Sequence, residues 1–349
     1  MNAHEGLAML RTLLSPEQLT TIQKLKWKDR RHPLQRLLFP QDRDEQFVYN
    51  TGVALSAIFD RDERWILAKK RQLLSVDSYN KASSVLGEVR AYGSLLRCGL
   101  AVKPGSEGIV SEPDFLVEGE VSVEVHAKQP EPDEALALER HHAAGFWSTP
   151  GEGVSVRMHI YTPFGAPKPG ESVTRNAIQK LAQIKQKEEA KQQFSDTTPS
   201  VLWLDFQDEA WSLIISASDA VPVVSWHGGF YSRPLWYAFY GWKGAPVFQG
   251  ETTEPGARRP LDKMRHEGRF RQNTKIDAVI ASFPKDTIIL ENPFSRKPIQ
   301  AWLWSRLTVL PDFNLGLSHI NWPQDDLSQR IEAQKASLDA LAREAIYSY

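Results

Sequence analysis

The 349-residue chain is predicted to adopt an α/β fold, a mixed β-sheet core flanked by helices, and three features lead to this expectation. Helix-period segments alternate with short apolar strand-like runs from residue 80 onward, the pattern of helices packed on a sheet. A hydrophobic fraction of 41% supports a substantial core, and a charged fraction of 24% is that of an ordinary soluble chain. No run of eighteen apolar residues occurs, which argues against a membrane-spanning helix.

Residues 1–75 read as a mainly helical N-terminal extension. Ser15-Pro16-Glu17 is a helix start, and Lys24, Lys26, Lys28, Arg30, Arg31 and Arg36 form a basic stretch that suits an exposed helix surface. The segments FVYNTGVALSAIF and RWILAKKRQLL fit strand or helix equally by pattern. A core follows at 76–300, with an aromatic and basic insertion near 217–275. A C-terminal segment, 301–349, ends in a charged amphipathic helix over 325–346.

Within the core, Val85, Val89, Tyr92 and Leu96 recur at helical spacing, and Cys98-Gly99 ends that helix. Strands are expected near 114–118 and 120–127, turning at Gly119. In VSVEVHAK the side chains alternate, so that Val121, Val123 and Val125 face a helix while Ser122, Glu124, His126 and Lys128 face a cleft. A helix is expected around 130–154, a strand at 156–162 and a long helix over 172–194. Further strands are expected at 201–206 and 211–216, and a hairpin from 276–283 and 286–292.

The net charge of -1 gives no support to nucleic-acid binding by itself, although a local basic surface survives such averaging. Cys98 is the only cysteine, so no intrachain disulfide forms. A reducing, cytoplasmic setting is expected, and Cys98 reads as a packed residue rather than a nucleophile. The opening residues lack the basic end and continuous apolar block of a secretory signal. His141 and His142 are neighbours on one helix and point apart, which suits surface positions better than a metal site. Trp226, Trp236 and Trp242 read as core packing, since they do not alternate with basic residues.

The chemistry is concentrated in an ordered set of acids. Glu88 lies on the 80–98 helix, Asp114 follows Pro113 at a strand start, and Glu124 stands on the next strand with His126 and Lys128. Adjacent strands lie about 4.8 Å apart, so Asp114 and Glu124 are expected to converge on one hard cation, Mg²⁺ or Mn²⁺, with Glu88 nearby. Such a cation would polarise a phosphodiester and activate water, with His126 or Lys128 orienting that water or offsetting charge.

LGEVRAYGSLLRCGLAV, EPDFLV and VSVEVHAK together resemble the PD-(D/E)-x-K, or restriction-endonuclease-like, nuclease superfamily. The resemblance implies a restriction-endonuclease-like core with Glu88, Asp114 and Glu124 at the acidic positions. His126 stands where that pattern has lysine, and Lys128 lies one strand period further on. Lys180 and Lys187, on the helix that also carries Gln179 and Lys185, become substrate-facing candidates. The implied activity is metal-dependent phosphodiester hydrolysis of nucleic acid, DNA first, as a Mg²⁺-dependent endonuclease. Two alternatives stay open: a catalytically impaired nucleic-acid-binding module, and a structural or protein-interaction protein. The basic segment 258–275 adds Arg258, Arg259, Lys263, Arg265, Arg269 and Arg271 as phosphate contacts. A homodimer or a protein partner is also left open, and no membrane partner is expected.

Overall fold

The computed structural model describes residues 3–25, 31–75, 78–106, 112–129, 133, 137, 162, 164–185, 194–207, 221–251, 262–272, 275–310, 313–314 and 324–347. The expected elements at 130–154, 156–162 and 211–216 fall largely or wholly outside those residues, as do His141, His142, Lys187, Arg258 and Arg259.

The architecture is α/β, with helices leading into a mixed sheet. The N-terminal helices are α1 (Ala3–Thr12), α2 (Pro16–Lys24), α3 (Pro33–Leu38), α4 (Glu45–Leu73) and α5 (Tyr79–Arg97). Ser15 caps α2 in a reciprocal capping box with Gln18, the outcome expected from Ser15-Pro16-Glu17. The segment that fitted strand or helix equally is one helix, α4, with non-helical backbone at Asp62. Asp62 Oδ1 accepts a hydrogen bond from Trp65 N–H at 3.3 Å, and Oδ2 accepts one from the Tyr92 hydroxyl at 2.8 Å. The side chain thus takes over capping at the kink and ties α4 to α5.

These two helices approach closely because small residues face each other. A Cβ added at Gly93 would lie 2.4 Å from Ala54 Cα and 2.5 Å from its carbonyl oxygen, both backbone atoms that cannot swing aside. Gly93→Ala is therefore expected to cost about 1–3 kcal/mol or more through overpacking. Urea unfolding followed by circular dichroism measures it. A loss under about 0.5 kcal/mol would show that the two helices separate freely.

Besides the short outlying strands β5 (Val223–Trp226), β6 (Gly229–Ser232), β7 (Pro246–Val247), β8 (Gln249–Glu251) and β9 (Asp262–Lys263), the strands are β1 (Val102–Pro104), β2 (Phe115–Val117), β3 (Val121–Ala127), β4 (Ser200–Asp205), β10 (Ala278–Ser282), β11 (Thr287–Glu291) and β12 (Phe313–Asn314). They form one sheet in the order β1-β2-β3-β4-β10-β11-β12. The β3/β4, β4/β10 and β11/β12 pairs are parallel, and the β1/β2, β2/β3 and β10/β11 pairs are antiparallel. The expected β10/β11 hairpin is present. Three residues, Glu118–Glu120, join β2 to β3; Glu118 and Gly119 are left-handed, with φ of 50° and 72°, and Glu120 N–H donates to the Val117 carbonyl at 2.9 Å to close the turn.

Alternation along each strand divides the interior into two cores. Val121, Val123, Val125, Val201, Trp203 and Ile280 pack with the α4/α5 layer. The opposite face, including Leu202, Leu204, Val279 and Ala281, packs under α6 (Val173–Ala182), α7 (Pro234–Tyr240) and residues of the C-terminal helix α9 (Gln324–Tyr347). A shorter helix, α8 (Ala301–Leu307), joins the first core through Leu303, Trp304 and Leu307. No described helix is long and apolar enough to cross a membrane.

The aromatic-rich stretch is partly core and partly surface. Trp236 and its α7 neighbours Tyr237, Phe239 and Tyr240 are fully buried, and Trp242 packs against the same core. Trp226 departs from the expected packing. It ends β5 (Val223–Trp226) at the tip of a hairpin with β6 (Gly229–Ser232) and is 64% exposed, since His227 and Gly228 turn the chain there. Cys98 is buried, and burial pushes its thiol up to about 12, which leaves it inert at neutral pH.

Candidate functional site

The β2/β3 hairpin sets the centre of the site. Its register pairs Phe115 with Val123, so Asp114, one residue before β2, faces the neighbourhood of Glu124. Asp114 Oδ2 accepts a hydrogen bond from Val125 N–H at 2.7 Å, which fixes the carboxyl group against β3. Glu124 points to the face opposite the valines and is 2% exposed. The parity expected from VSVEVHAK is thus present, and the two acids interact electrostatically.

What reaches Glu124 from across the sheet is a lysine. Lys185 lies beyond α6 with φ of 55°, and its ammonium is paired with Glu124 Oε1. The left-handed backbone turns this residue back over the sheet after the helix ends. The buried Arg269 holds it there, its Nη2 donating to the Lys185 carbonyl at 2.9 Å. Glu124 Oε2 has no hydrogen-bond partner among the described residues.

These surroundings reset the protonation of the cluster. Burial first, and the Asp114 charge second, raise Glu124 to about 7 against the opposing pull of Lys185. Burial also raises Asp114, offset in part by the Val125 N–H and by the Lys185 and Lys69 charges. His126 is pushed down to about 4 by burial and by Lys185 and Lys128, so it is neutral at pH 7. Lys128 lies with its ammonium 6.0 Å from the Phe164 ring centre, and its charge contributes to the lowering of His126.

Glu88 does not complete an acidic triad. Its carboxylate pairs at 2.9 Å with Lys69 of α4. Among the described residues no group of three or more His, Cys, Asp or Glu side chains is arranged to hold a metal ion. The expected Mg²⁺ or Mn²⁺ site built from Asp114, Glu124 and Glu88 is therefore corrected. One oxygen of Glu124 serves Lys185, one of Asp114 serves the β3 backbone, and Glu88 is drawn to a helix lysine. A divalent ion needs several convergent oxygens, and this arrangement offers an ammonium partner instead.

Comparison with known proteins finds no family model, no curated protein and no solved structure that matches this chain. The site therefore stands on its own geometry.

The other sequence candidates are scattered. Lys180 is exposed on α6. In the basic segment, Lys263 is exposed on β9 (Asp262–Lys263), and Arg265 is exposed and lies 3.4 Å from Glu171. Arg269 and Arg271 turn inward. Arg269 is 4% exposed behind Lys185, and burial lowers it to about 10. Arg271 donates from Nε to the Tyr240 carbonyl at 2.9 Å and from Nη2 to Glu332 at 3.1 Å.

Lys185 and Lys69 are the cluster members that sequence reasoning left unassigned. The sequence pattern runs one helix over 172–194 and so places Lys185 inside it, whereas the helix ends at Ala182 and Lys185 stands in the turn that follows. Nothing in the spacing of Lys69 pointed to Glu88 or Asp114.

Proposed function

We propose that the protein is a nucleic-acid-binding module with nuclease-like ordering of its sequence motifs, whose acid pair is closed by Lys185. The carrying observation is the Lys185–Glu124 ion pair inside the carboxylate site. An ammonium supplies one positive charge and hydrogen-bond donors. It lacks the Lewis acidity that brings the pKa of a bound water near neutrality. Such a centre suits holding a phosphate-bearing chain better than cutting it.

Local charge supports the same reading. Lys69, Lys128 and Lys185 act on this cluster, His126 is neutral, and burial raises Glu124 to about 7. Its balance is more favourable to an anion than the acid count suggests. The exposed Lys180, Lys263 and Arg265 add basic groups that a phosphate backbone can recruit. DNA is the first substrate class to examine, and a cytoplasmic setting belongs to this reading.

Fluorescence anisotropy with labelled single- and double-stranded DNA and RNA tests it. Three to four phosphate contacts would weaken duplex affinity by about 40- to 150-fold between 50 and 200 mM salt. Lys180→Ala is expected to reduce the salt slope by about one unit. No binding of any of the four nucleic acids at 50 mM salt would refute the reading. Strand cleavage in the presence of Mg²⁺ or Mn²⁺ would replace the binding module with an enzyme.

A protein-interaction role is the second reading, favoured by one observation. Trp226 stands 64% exposed at the tip of a turn, with His227 and Tyr231 beside it. Exposed tryptophans are enriched at contact surfaces.

A further inference from the structure

A recess lies alongside α6, formed by that helix and residues 264–272. Its volume is about 280 Å³, and its residues include Arg175, Ile178, Gln179, Ala182, Met264 and Arg265. Small-molecule sites commonly run from about 300 to 1,000 Å³, so this one suits a single ring system rather than a chain.

Chemistry narrows the occupant. Ile178, Ala182 and Met264 supply an apolar wall. Arg175 and Gln179, four residues apart and so on one helix face, each carry a donor nitrogen without a hydrogen-bond partner among the described residues: Arg175 Nε and Gln179 Nε2. Arg175 is 5% exposed, and a buried donor left unmade is destabilising. Both atoms are closed to solvent, so an acceptor in the recess meets them only once the side chains shift. Rotation of the Gln179 amide about its terminal torsion, a soft motion, would present its donor.

Charge argues against phosphate here. Arg175 is already engaged by Asp262, by the Gly170 carbonyl at 2.8 Å and by Glu171 at 3.7 Å, while Arg265 lies 3.4 Å from Glu171. With Glu267 on the wall, two arginines face three carboxylates. A neutral ligand with flat apolar faces and in-plane acceptors fits this balance.

We propose that the recess is a nucleobase site, taking one base through its apolar faces and placing a carbonyl or ring-nitrogen acceptor against Gln179 and Arg175. The proposal rests on the nucleic-acid reading only for where the base comes from, because a free nucleoside carries the same recognition elements. The recess and Lys185 flank the same helix end, since Gln183 lines one and Lys185 reaches the acid pair two residues later. A strand held at Lys185 therefore has a place nearby for an unstacked base.

Saturation-transfer NMR on the full chain, with adenosine, guanosine, cytidine, uridine, ribose 5-phosphate and inorganic phosphate as separate probes, tests the proposal. At least one nucleoside is expected to receive magnetisation through its base protons, whereas inorganic phosphate does not displace it. Gln179→Leu keeps the side chain's approximate size and is expected to weaken that nucleoside about tenfold. Ala182→Phe fills the recess and is expected to abolish binding. Should Ala182→Phe fail to fold, Gln179→Leu carries the test. No transfer to any nucleoside, or transfer unaltered in folded Gln179→Leu, overturns the proposal. DNA binding with no nucleoside signal sinks the base site alone, and nucleoside binding without nucleic-acid binding sinks the proposed function alone.

Discussion

Replacing Arg90 with methionine is expected to destabilise the protein by about 3–5 kcal/mol, because it strands a buried carboxylate. Arg90 reaches from α5 to the end of β4, where its Nε and Nη2 donate to the two oxygens of Asp205, each at 2.8 Å. Its guanidinium lies 5.0 Å from the Phe47 ring centre, and Nη1 donates to Thr51 at 3.2 Å. Asp205 is 1% exposed and cannot turn to solvent. The bridge therefore joins α4, α5 and the sheet in a water-poor interior. Urea midpoints for Arg90→Met, Asp205→Asn and the double variant separate the charge penalty from lost packing. The double variant should recover much of the loss, since neither charge then remains. A single-variant loss below about 1 kcal/mol would show that Asp205 finds another partner or water.

The second large effect is pH-dependent and centres on Glu124. Its folded value, about 7, lies above the ordinary 4.5, so the folded state holds a proton that the unfolded chain releases. This contribution is full below about pH 4.5, falls as pH rises through 7, and is absent above it. The slope is at most about 1.4 kcal/mol per pH unit for one proton. His126 works in the opposite sense. Depressed from 6.5 to about 4, it contributes stability above pH 6.5 that is lost as pH falls through 4. His32, also lowered to about 4 by burial, adds to that second trend.

Glu124→Gln should remove the falling contribution and leave the histidine one. Stability of that variant, measured by urea unfolding from pH 4 to 8, is then expected to rise more steeply between about pH 4.5 and 7 than in the parent. Lys185→Met acts the other way by removing the cation that holds Glu124 down. Its cost is expected to be about 3–5 kcal/mol at pH 8 and clearly smaller at pH 5, where Glu124 is protonated in either protein. Parallel stability curves for the parent and Glu124→Gln would mean that Glu124 titrates as it does in the unfolded chain. An equal Lys185→Met loss at both pH values would assign Lys185 a packing role without an electrostatic one.

Local physics made much of the fold legible. The spacing of Val85, Val89, Tyr92 and Leu96 marked α5, and alternation in VSVEVHAK marked β3 with the correct faces. Gly119 marked the turn between β2 and β3, while the two apolar runs at 276–292 marked a hairpin. The segment leading to α4 was less legible. Its apolar residues extend around much of the helix because α1, α3 and α5 all cover it, so one-sided periodicity was lost.

The acid pair was visible for the same reason as its strands: residue order and side-chain parity survive in one dimension. What the acids do was not visible. Whether a carboxylate meets a cation, a backbone amide or a lysine depends on groups distant in sequence, and Lys185 stands 61 residues from Glu124. The Glu88–Lys69 pair likewise depends on how two helices cross, and the Arg90–Asp205 bridge spans 115 residues.

By itself, then, the sequence determined helices, strands, the faces of β3 and the proximity of Asp114 to Glu124, because these follow from backbone periodicity and a short turn. Tertiary structure alone decided that Glu124 is paired with Lys185, that Arg269 and Arg271 turn inward, and that Trp226 turns outward. Burial sets the cost of each charge, and only the assembled layers determine which charge is near enough to offset it.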